Sequence, residues 1–216
     1  MCFSPEVSFA AAGVLGALGA VCVGQASQLR EKPLAAIPLL FAAQQALEGV
    51  IWLSPLHSGH VSNACVIGYL GFAKVLWPTY APLAVLLVEP SAVRRRIMAA
   101  CVAVGVMVST YLAWGLATFP QWAELRRGHI VYATQQPIPL WVGMVYLAFV
   151  SLAFLAASEP LVVTFGAILF GGAVIIRLLT PFAFPSIWCF FAAMASSILA
   201  LHFVRARRRR LAPAGL

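Results

Sequence analysis

The sequence predicts an all-α integral membrane protein with seven transmembrane helices, and three observations support this fold class. First, 62% of the 216 residues are hydrophobic and only 9% are charged, whereas soluble domains carry about 25% charged residues. Second, the chain contains seven apolar stretches close to the ~20 residues that cross a bilayer. Third, most charged residues fall in short clusters between those stretches. Lipid must therefore cover much of the apolar surface.

The seven segments form one predicted domain, residues 1–204, followed by a basic tail, residues 205–216. The segments cover residues 5–27, 34–53, 64–88, 97–119, 138–157, 161–179 and 187–204. Helix-start signals mark the first segment: Ser4 can cap the helix, Pro5 suits its first turn and Glu6 favours the positive end of its dipole.

Small residues are concentrated in the first, sixth and seventh segments. In lipid, small residues let two helix backbones approach closely. We therefore predict packing surfaces at Gly13, Gly16, Gly19, Gly166, Gly171, Gly172, Ala192, Ala193, Ser196 and Ala200.

The distribution of basic residues predicts the orientation. One set of loops holds Arg30, Lys32 and the run Arg94–Arg96, and the basic tail belongs to the same side. The opposite loops hold only Arg126 and Arg127. Because basic loops stay in the cytoplasm, the N-terminus is predicted outside and the C-terminus inside, in the inner (cytoplasmic) membrane. Topology and contact with anionic lipid explain the net charge of +8, and no nucleic-acid partner is predicted.

Five tryptophans lie at or near predicted outer helix ends, where indoles favour the membrane interface. They are Trp52, Trp114, Trp122, Trp141 and Trp188. Two interpretations stay open, since the belt can anchor the protein at the interface and can also form the wall of a pocket.

The second segment carries polar residues at positions where apolar ones would insert into the bilayer at a lower free energy. Residues three, four and seven apart share a helix face. Gln44, Gln45, Glu48 and Trp52 are therefore predicted to form one stripe that faces protein or water instead of lipid. Glu48 lies roughly 8 Å below the outer end of its helix at the usual rise per residue.

The third segment supplies an intramembrane lysine beside a proline. Lys74 lies about 15 Å from its own outer helix end, and a charge at such depth costs on the order of 3 kcal/mol, so we expect it to pair with Gln44 and Glu48. Pro78 has no N–H, so the Lys74 carbonyl loses its helical partner and the helix should bend. A broken helix beside an intramembrane charge is a recurring way to build a binding site.

Two interpretations of this region remain open. In the first, Glu48 and Lys74 form a structural ion pair that holds two helices together. In the second, the region binds a small polar ligand or an ion in an outward-facing pocket. Arg177, near the outer end of the sixth segment, either joins the pocket or snorkels to the interface. The candidate ligand-binding residues are Gln44, Gln45, Glu48, Trp52, Lys74, Trp77 and Arg177.

Four stretches resemble a family of prokaryotic integral membrane proteins that has no established activity. They are MCFSPEVSF at the start, IPLLFAAQQALEGVIWL, LWPTYAPLA and SIWCFFAA. The resemblance covers nearly the whole chain. It implies a multi-helix membrane protein and adds weight to these residues, but it implies no mechanism and no cofactor.

The cysteines and histidines leave further alternatives. Cys2 and Cys189 both map to outer helix ends, where a disulfide is allowed, although two buried thiols fit as well. Cys2 is also a candidate N-terminal nucleophile. The outer-loop histidines, His57, His60 and His129, are expected to be solvated, although with a cysteine they could hold zinc or copper. No metal site is predicted.

The outer loop 120–137 contains HIVYAT, which we expect to form a short strand or half of a hairpin that caps the outer mouth of the bundle.

The favoured function is binding, sensing or transport of a small molecule or ion. One alternative is a membrane-embedded enzyme, metal-assisted or dependent on Cys2. The other is a structural or accessory subunit of a membrane complex. The ligand, any cofactor and the oligomeric state are left open.

Overall fold

The computed structural model describes residues 4–56, 59 and 61–211, and it is 79% helical. The main elements are α1 (Pro5–Gln25), α2 (Ile37–Trp52), α3 (Ala64–Leu70), a π-helical segment (Gly71–Leu76), α4 (Trp77–Val88), α5 (Ala92–Thr118), β1 (Gln121–Arg126), β2 (His129–Thr134), α6 (Leu140–Leu155), α7 (Pro160–Leu179), α8 (Phe184–Ala195) and α9 (Ser197–Leu211). Short helical turns lie at Leu29–Glu31, Lys32–Ala35 and Pro181–Ala183. The predicted all-α class is confirmed.

Among the described residues, six helical stretches are long and apolar enough to cross a membrane. They contain α1, α2, α3 with α4, α5, α7, and α8 with α9. The fifth predicted segment is present as α6, which is apolar but has 16 residues. At the usual rise, α6 is about 24 Å long, somewhat shorter than the ~30 Å apolar core of a bilayer.

The helices pack through some of the predicted small residues. A Cβ added at Gly19 would lie 2.6 Å from Leu39 of α2, and one added at Gly166 would lie 2.5 Å from Phe154 of α6. Gly172 is covered by Phe191 in the same way. In contrast, a Cβ at Gly13 would meet no atom within 4 Å among the described residues, because that position faces away from the bundle. The predicted packing surfaces are thus confirmed only in part.

A β-hairpin follows α5, so the predicted HIVYAT strand is confirmed as β2. The two strands are antiparallel, with Gln121 opposite Thr134 and Ala123 opposite Tyr132. A two-residue turn joins them, in which Arg127 has φ 52° and Gly128 has φ 75°. Positive φ at both central residues gives a turn whose twist matches that of the strands. The backbone conformation of the two turn residues therefore favours the hairpin locally.

The C-terminal helix extends further than predicted. α9 continues to Leu211, so the arginines expected in a separate tail form its last turns. Arg210 Nη1 lies 3.2 Å from Glu31 Oε1 in the connection between α1 and α2. Arginine has a high helix propensity, and this ion pair fixes the end of the helix against the bundle.

The loops at the end of the bundle opposite the hairpin are joined through Glu89, which is only 4% exposed. Its carboxylate accepts hydrogen bonds from the Ser158 hydroxyl at 2.5 Å, the Ser158 N–H at 2.8 Å and the Ser91 N–H at 3.1 Å. Burial tends to raise the pKa of Glu89, but the hydrogen bonds from Ser158 and Ser91 and the charge of Arg94 outweigh burial and lower this pKa below 4.5. Glu89 therefore contributes to stability in its ionised form.

We expect Glu89→Ala to lower the free energy of unfolding by about 2–3 kcal/mol at neutral pH, because hydrogen bonds to a charged acceptor are lost. Since the folded pKa is lowered, the contribution of Glu89 is complete above pH 4.5 and is lost as the pH falls further. Thermal unfolding of the wild type and the variant should thus converge in acid. An equal difference at neutral pH and at about pH 3 would contradict this role. Glu124→Ala is the control, since Glu124 is only partly buried and pairs with the exposed Arg126.

Candidate functional site

Three polar side chains of α2 point into the bundle. Gln44, Gln45 and Glu48 are each 0% exposed. As predicted, they face protein instead of lipid, with Gln45 on the side of the stripe next to Gln44 and Glu48. Gln44 and Glu48 face α4, α8 and the hairpin, whereas Gln45 shares a face with Gly49, where an added Cβ would lie 2.8 Å from Phe9 of α1.

Gln44 is held by a tryptophan of α4. The Trp77 indole N–H donates to Gln44 Oε1 at 2.7 Å. Trp77 also stacks on Phe41, one turn before Gln44, with ring centroids 4.1 Å apart. The structure therefore brings together two of the predicted site residues, Gln44 and Trp77, and fixes the direction of the amide.

Glu48 connects three elements that are far apart in the sequence. Its Oε1 accepts hydrogen bonds from the Ser186 hydroxyl of α8 at 2.6 Å and from the Tyr132 hydroxyl of β2 at 3.3 Å. Tyr132 stacks on Tyr69 of α3 with centroids 4.3 Å apart and an interplanar angle of 9°. The sequence analysis did not identify Ser186 or Tyr132 as site residues, although both lie in stretches that it noted, SIWCFFAA and HIVYAT.

The expected pairing of Lys74 with Glu48 is wrong. Lys74 Nζ donates to Gln121 Oε1 of β1 at 2.8 Å, and Glu48 forms no ion pair with it in the described part of the chain. The Gln121 amide nitrogen in turn donates to the carbonyl oxygens of Gly115 at 3.2 Å and Phe119 at 3.0 Å. Gln121 is 2% exposed, so the lysine and its partner are both anchored to the end of α5.

The physical reason lies in the π-helical segment that contains Lys74. A π-helix has more residues per turn than an α-helix, so its side chains point in other directions than α-helical spacing predicts. Carbonyl oxygens in this segment accept hydrogen bonds from neighbouring helices, with Tyr146 donating to Ala73 at 3.0 Å and Ser109 to Val75 at 2.7 Å. The irregularity expected at Pro78 is thus present as a π-helical segment directly before it, stabilised by side chains of α5 and α6.

One face of the hairpin supplies a partner to each of the two charged residues. Ala123 is paired with Tyr132, and Gln121 lies two residues before Ala123 on the same strand. Gln121 and Tyr132 are therefore diagonal neighbours on the face that points into the bundle. Gln121 contacts Lys74, and Tyr132 contacts Glu48.

Several buried polar atoms near Glu48 and Gln44 lack partners. Among the described residues, neither the amide oxygen nor the amide nitrogen of Gln45 has a hydrogen-bond partner, and the same holds for the amide nitrogen of Gln44 and the indole nitrogens of Trp52 and Trp188. Leaving a buried donor or acceptor unsatisfied costs roughly 1–3 kcal/mol. Native proteins rarely keep such groups without a water or ligand to bind them, so the region has spare hydrogen-bonding capacity.

Other predicted site residues lie elsewhere. Arg177 is exposed at the end of α7 and makes no hydrogen bond or ion pair within the described ranges. His129 lies in β2, whereas His57 and His60 fall outside the described residues. No group of three His, Cys or Glu that could hold a metal ion occurs in the part of the chain that the structure describes.

The predicted disulfide remains a prediction. Cys2 lies outside the described residues. Cys189 carries a free thiol, is 2% exposed and interacts with the side chains of Tyr69 and Gln44. Cys189 therefore lies among the residues that surround Glu48.

Comparison with known proteins addresses the family and leaves the activity open. No curated protein and no solved structure matches the chain. A family model does match, from residue 1 to residue 214, which is nearly the whole sequence and agrees with the resemblance noted from its motifs. The chain thus belongs to DUF6629, a family of unknown function.

Proposed function

We propose that this chain is an inner-membrane protein that binds a small polar molecule or an ion beneath the hairpin, for sensing or transport. In this proposal α6 and its flanking residues complete a seventh span, with the N-terminus outside and the C-terminus in the cytoplasm. The arrangement of charge supports the orientation, because Arg94 and Arg210 lie at the end of the bundle opposite the hairpin. The hairpin then faces the outside.

The observation that carries the proposal is the way the two intramembrane charges are satisfied. Glu48 and Lys74 bind neutral groups of the hairpin instead of each other. Displacing the hairpin, which we call the lid (Gln121–Thr134), would remove one contact of each charge at once, while Glu48 would keep its hydrogen bond from Ser186 of α8. Charged residues within membrane-spanning segments commonly mark ligand or ion pathways.

The unsatisfied amides favour a ligand over a purely structural cluster. A cluster that only locks helices together gains most when every buried polar group has a partner. Gln45 has none among the described residues, and Gln44 has one hydrogen bond there, through its oxygen, besides its contact with the Cys189 thiol. A polar ligand would supply the missing hydrogen-bond partners, so these amides are suited to binding one.

We expect native mass spectrometry of gently solubilised protein to detect a retained non-lipid mass that is absent from Glu48→Gln. The substitution keeps the shape of the side chain and removes its charge. Glu124→Gln is the matched control, because Glu124 is ion-paired to Arg126 on the lid surface and should leave the mass unchanged. Equal retention by Glu48→Gln and the wild type, or no retained mass in the wild type, would contradict the proposal.

Gln45→Leu gives a second readout that separates the two interpretations. If no ligand binds, removing an unsatisfied buried amide raises the free energy of unfolding by about 1–3 kcal/mol and changes nothing else. If Gln45 belongs to the site, the variant also loses the retained mass. The two measurements together distinguish a binding residue from an unfavourable packing residue.

A further inference from the structure

We infer that the end of the bundle opposite the hairpin holds a second binding site, in which Arg205 and Arg209 of α9 bind the phosphate of an anionic phospholipid. These two arginines and His202 line a cavity of about 210 Å³, and residues 159–161 at the start of α7 form its opposite wall. At ~30 Å³ for each liquid water, this volume equals that of about seven water molecules. The cavity therefore has room for a phosphate group.

The arginines of α9 that contact other elements are not the ones that line this cavity. Arg207 and Arg210 are both held by polar groups at the end of α1 and in the connection that follows it. Arg205 and Arg209 make no hydrogen bond or ion pair in the part of the chain that the structure describes. They lie four residues apart and are therefore neighbours on one face of the helix. Two guanidinium groups are thus available to one anion.

The charge of the cavity wall favours an anion. Glu159 is the acidic residue among those that line the cavity, and its Oε1 lies 3.6 Å from His202 Nδ1 instead of pairing with either arginine. Two guanidinium groups against one carboxylate leave an excess of positive charge. A guanidinium group binds phosphate through two parallel hydrogen bonds, so Arg205 and Arg209 can hold a phosphate without breaking a contact within the protein.

Exposed apolar side chains beside the cavity favour a lipid over a soluble phosphate. On α9, the exposed Leu201 lies one turn before Arg205 on the same helix face. On α7, the exposed Ile168 lies two turns after Leu161 of the cavity wall. Acyl chains can cover these apolar surfaces while the phosphate enters the cavity, and a soluble phosphate would gain only the second contact. Basic pockets between membrane helices on the cytoplasmic side are known to bind lipid head groups.

Thermal unfolding of the delipidated full chain in a neutral detergent tests the inference with three probes. They are dioleoyl phosphatidylglycerol, dioleoyl phosphatidylcholine, whose choline group neutralises its phosphate, and inorganic phosphate. Phosphatidylglycerol should raise the melting temperature of the wild type most. Its apparent affinity should fall at least about tenfold when Arg205→Gln is combined with Arg209→Gln, because the charge-assisted hydrogen bonds of both guanidinium groups are lost. The matched control combines Arg95→Gln with Arg96→Gln, which removes the same charge from exposed arginines of α5 and should keep the affinity.

Equal stabilisation of the wild type by phosphatidylcholine or by inorganic phosphate would overturn the inference, and so would stabilisation by none of the probes. These outcomes are read on the wild type and do not depend on how the variants fold. An equal loss of affinity in the control would show a response to total charge instead of a site, which also overturns it. The test is independent of the proposed function, because that proposal depends on a non-lipid mass that is lost in Glu48→Gln.

Discussion

Replacing Gly105 with alanine is expected to lower the free energy of unfolding by about 3 kcal/mol or more, at the upper end for an overpacked site. A Cβ at this position of α5 would overlap the backbone carbonyl of Pro78 in α4. Backbone atoms cannot rotate away as a side chain can, so the two helices must separate. Two hydrogen bonds lie beside the contact, from Thr79 to Ser109 at 2.9 Å and from Ser109 to the Val75 carbonyl at 2.7 Å. Separation would weaken both.

Chemical unfolding in mixed micelles measures this loss. Gly13→Ala is the matched control, since Gly13 also lies inside a helix but an added Cβ would meet no atom within 4 Å in the described chain. Its stability should change by no more than about 1 kcal/mol, the helix-propensity difference between the two residues. Similar stabilities for the two variants would show that α4 and α5 do not approach as closely as described.

Removing both lid contacts, by combining Gln121→Ala with Tyr132→Phe, is expected to increase the labelling rate of Cys189 by at least about tenfold. The Cys189 thiol is 2% exposed and interacts with Tyr69, on which Tyr132 of the lid stacks. Labelling therefore requires a local opening. Each lost hydrogen bond to a charged group favours opening by about 1.5–3 kcal/mol, and every 1.4 kcal/mol is a factor of ten.

The rate is measured by intact mass after exposure to a membrane-impermeant maleimide. Cys189 is kept as the sole cysteine, with Cys2, Cys22, Cys65 and Cys101 replaced by alanine. Glu124→Gln provides the control on the lid, and its labelling rate should equal that of the parent. An unchanged rate in the double variant would mean that the hairpin does not limit access to the thiol.

The burial of α2's polar residues could be predicted from sequence, because a polar residue in an apolar helix must avoid lipid. The hairpin was also predictable in outline, since HIVYAT combines β-branched and aromatic residues before a proline. These features follow from local composition. The same local reasoning placed Gln44, Glu48 and Lys74 in one region of the bundle, although it did not give their contacts.

The direction of Lys74 could not be predicted, because it depends on distant residues. The π-helical segment is stabilised by Ser109, which is 34 residues from its acceptor, and by Tyr146, which is 73 residues from its own. The sequence-based prediction treated this segment as a regular α-helix, which would direct Lys74 toward Glu48. The glycine contact at Gly105 was missed for a similar reason, since a single glycine in an apolar helix does not indicate which backbone lies against it.

The long sequence separation between Glu48 and its partners has a consequence for biogenesis. Tyr132 lies 84 residues and Ser186 lies 138 residues after Glu48. During synthesis α2 therefore enters the bilayer well before either hydroxyl has been translated. The hydrogen bonds from Tyr132 and Ser186 to this carboxyl group can therefore form only after the hairpin and then α8 have been synthesised. The full set of hydrogen bonds to Glu48 is thus present only when the nascent chain has been inserted as far as α8. A chain truncated before α8 would lack the hydrogen bond from Ser186.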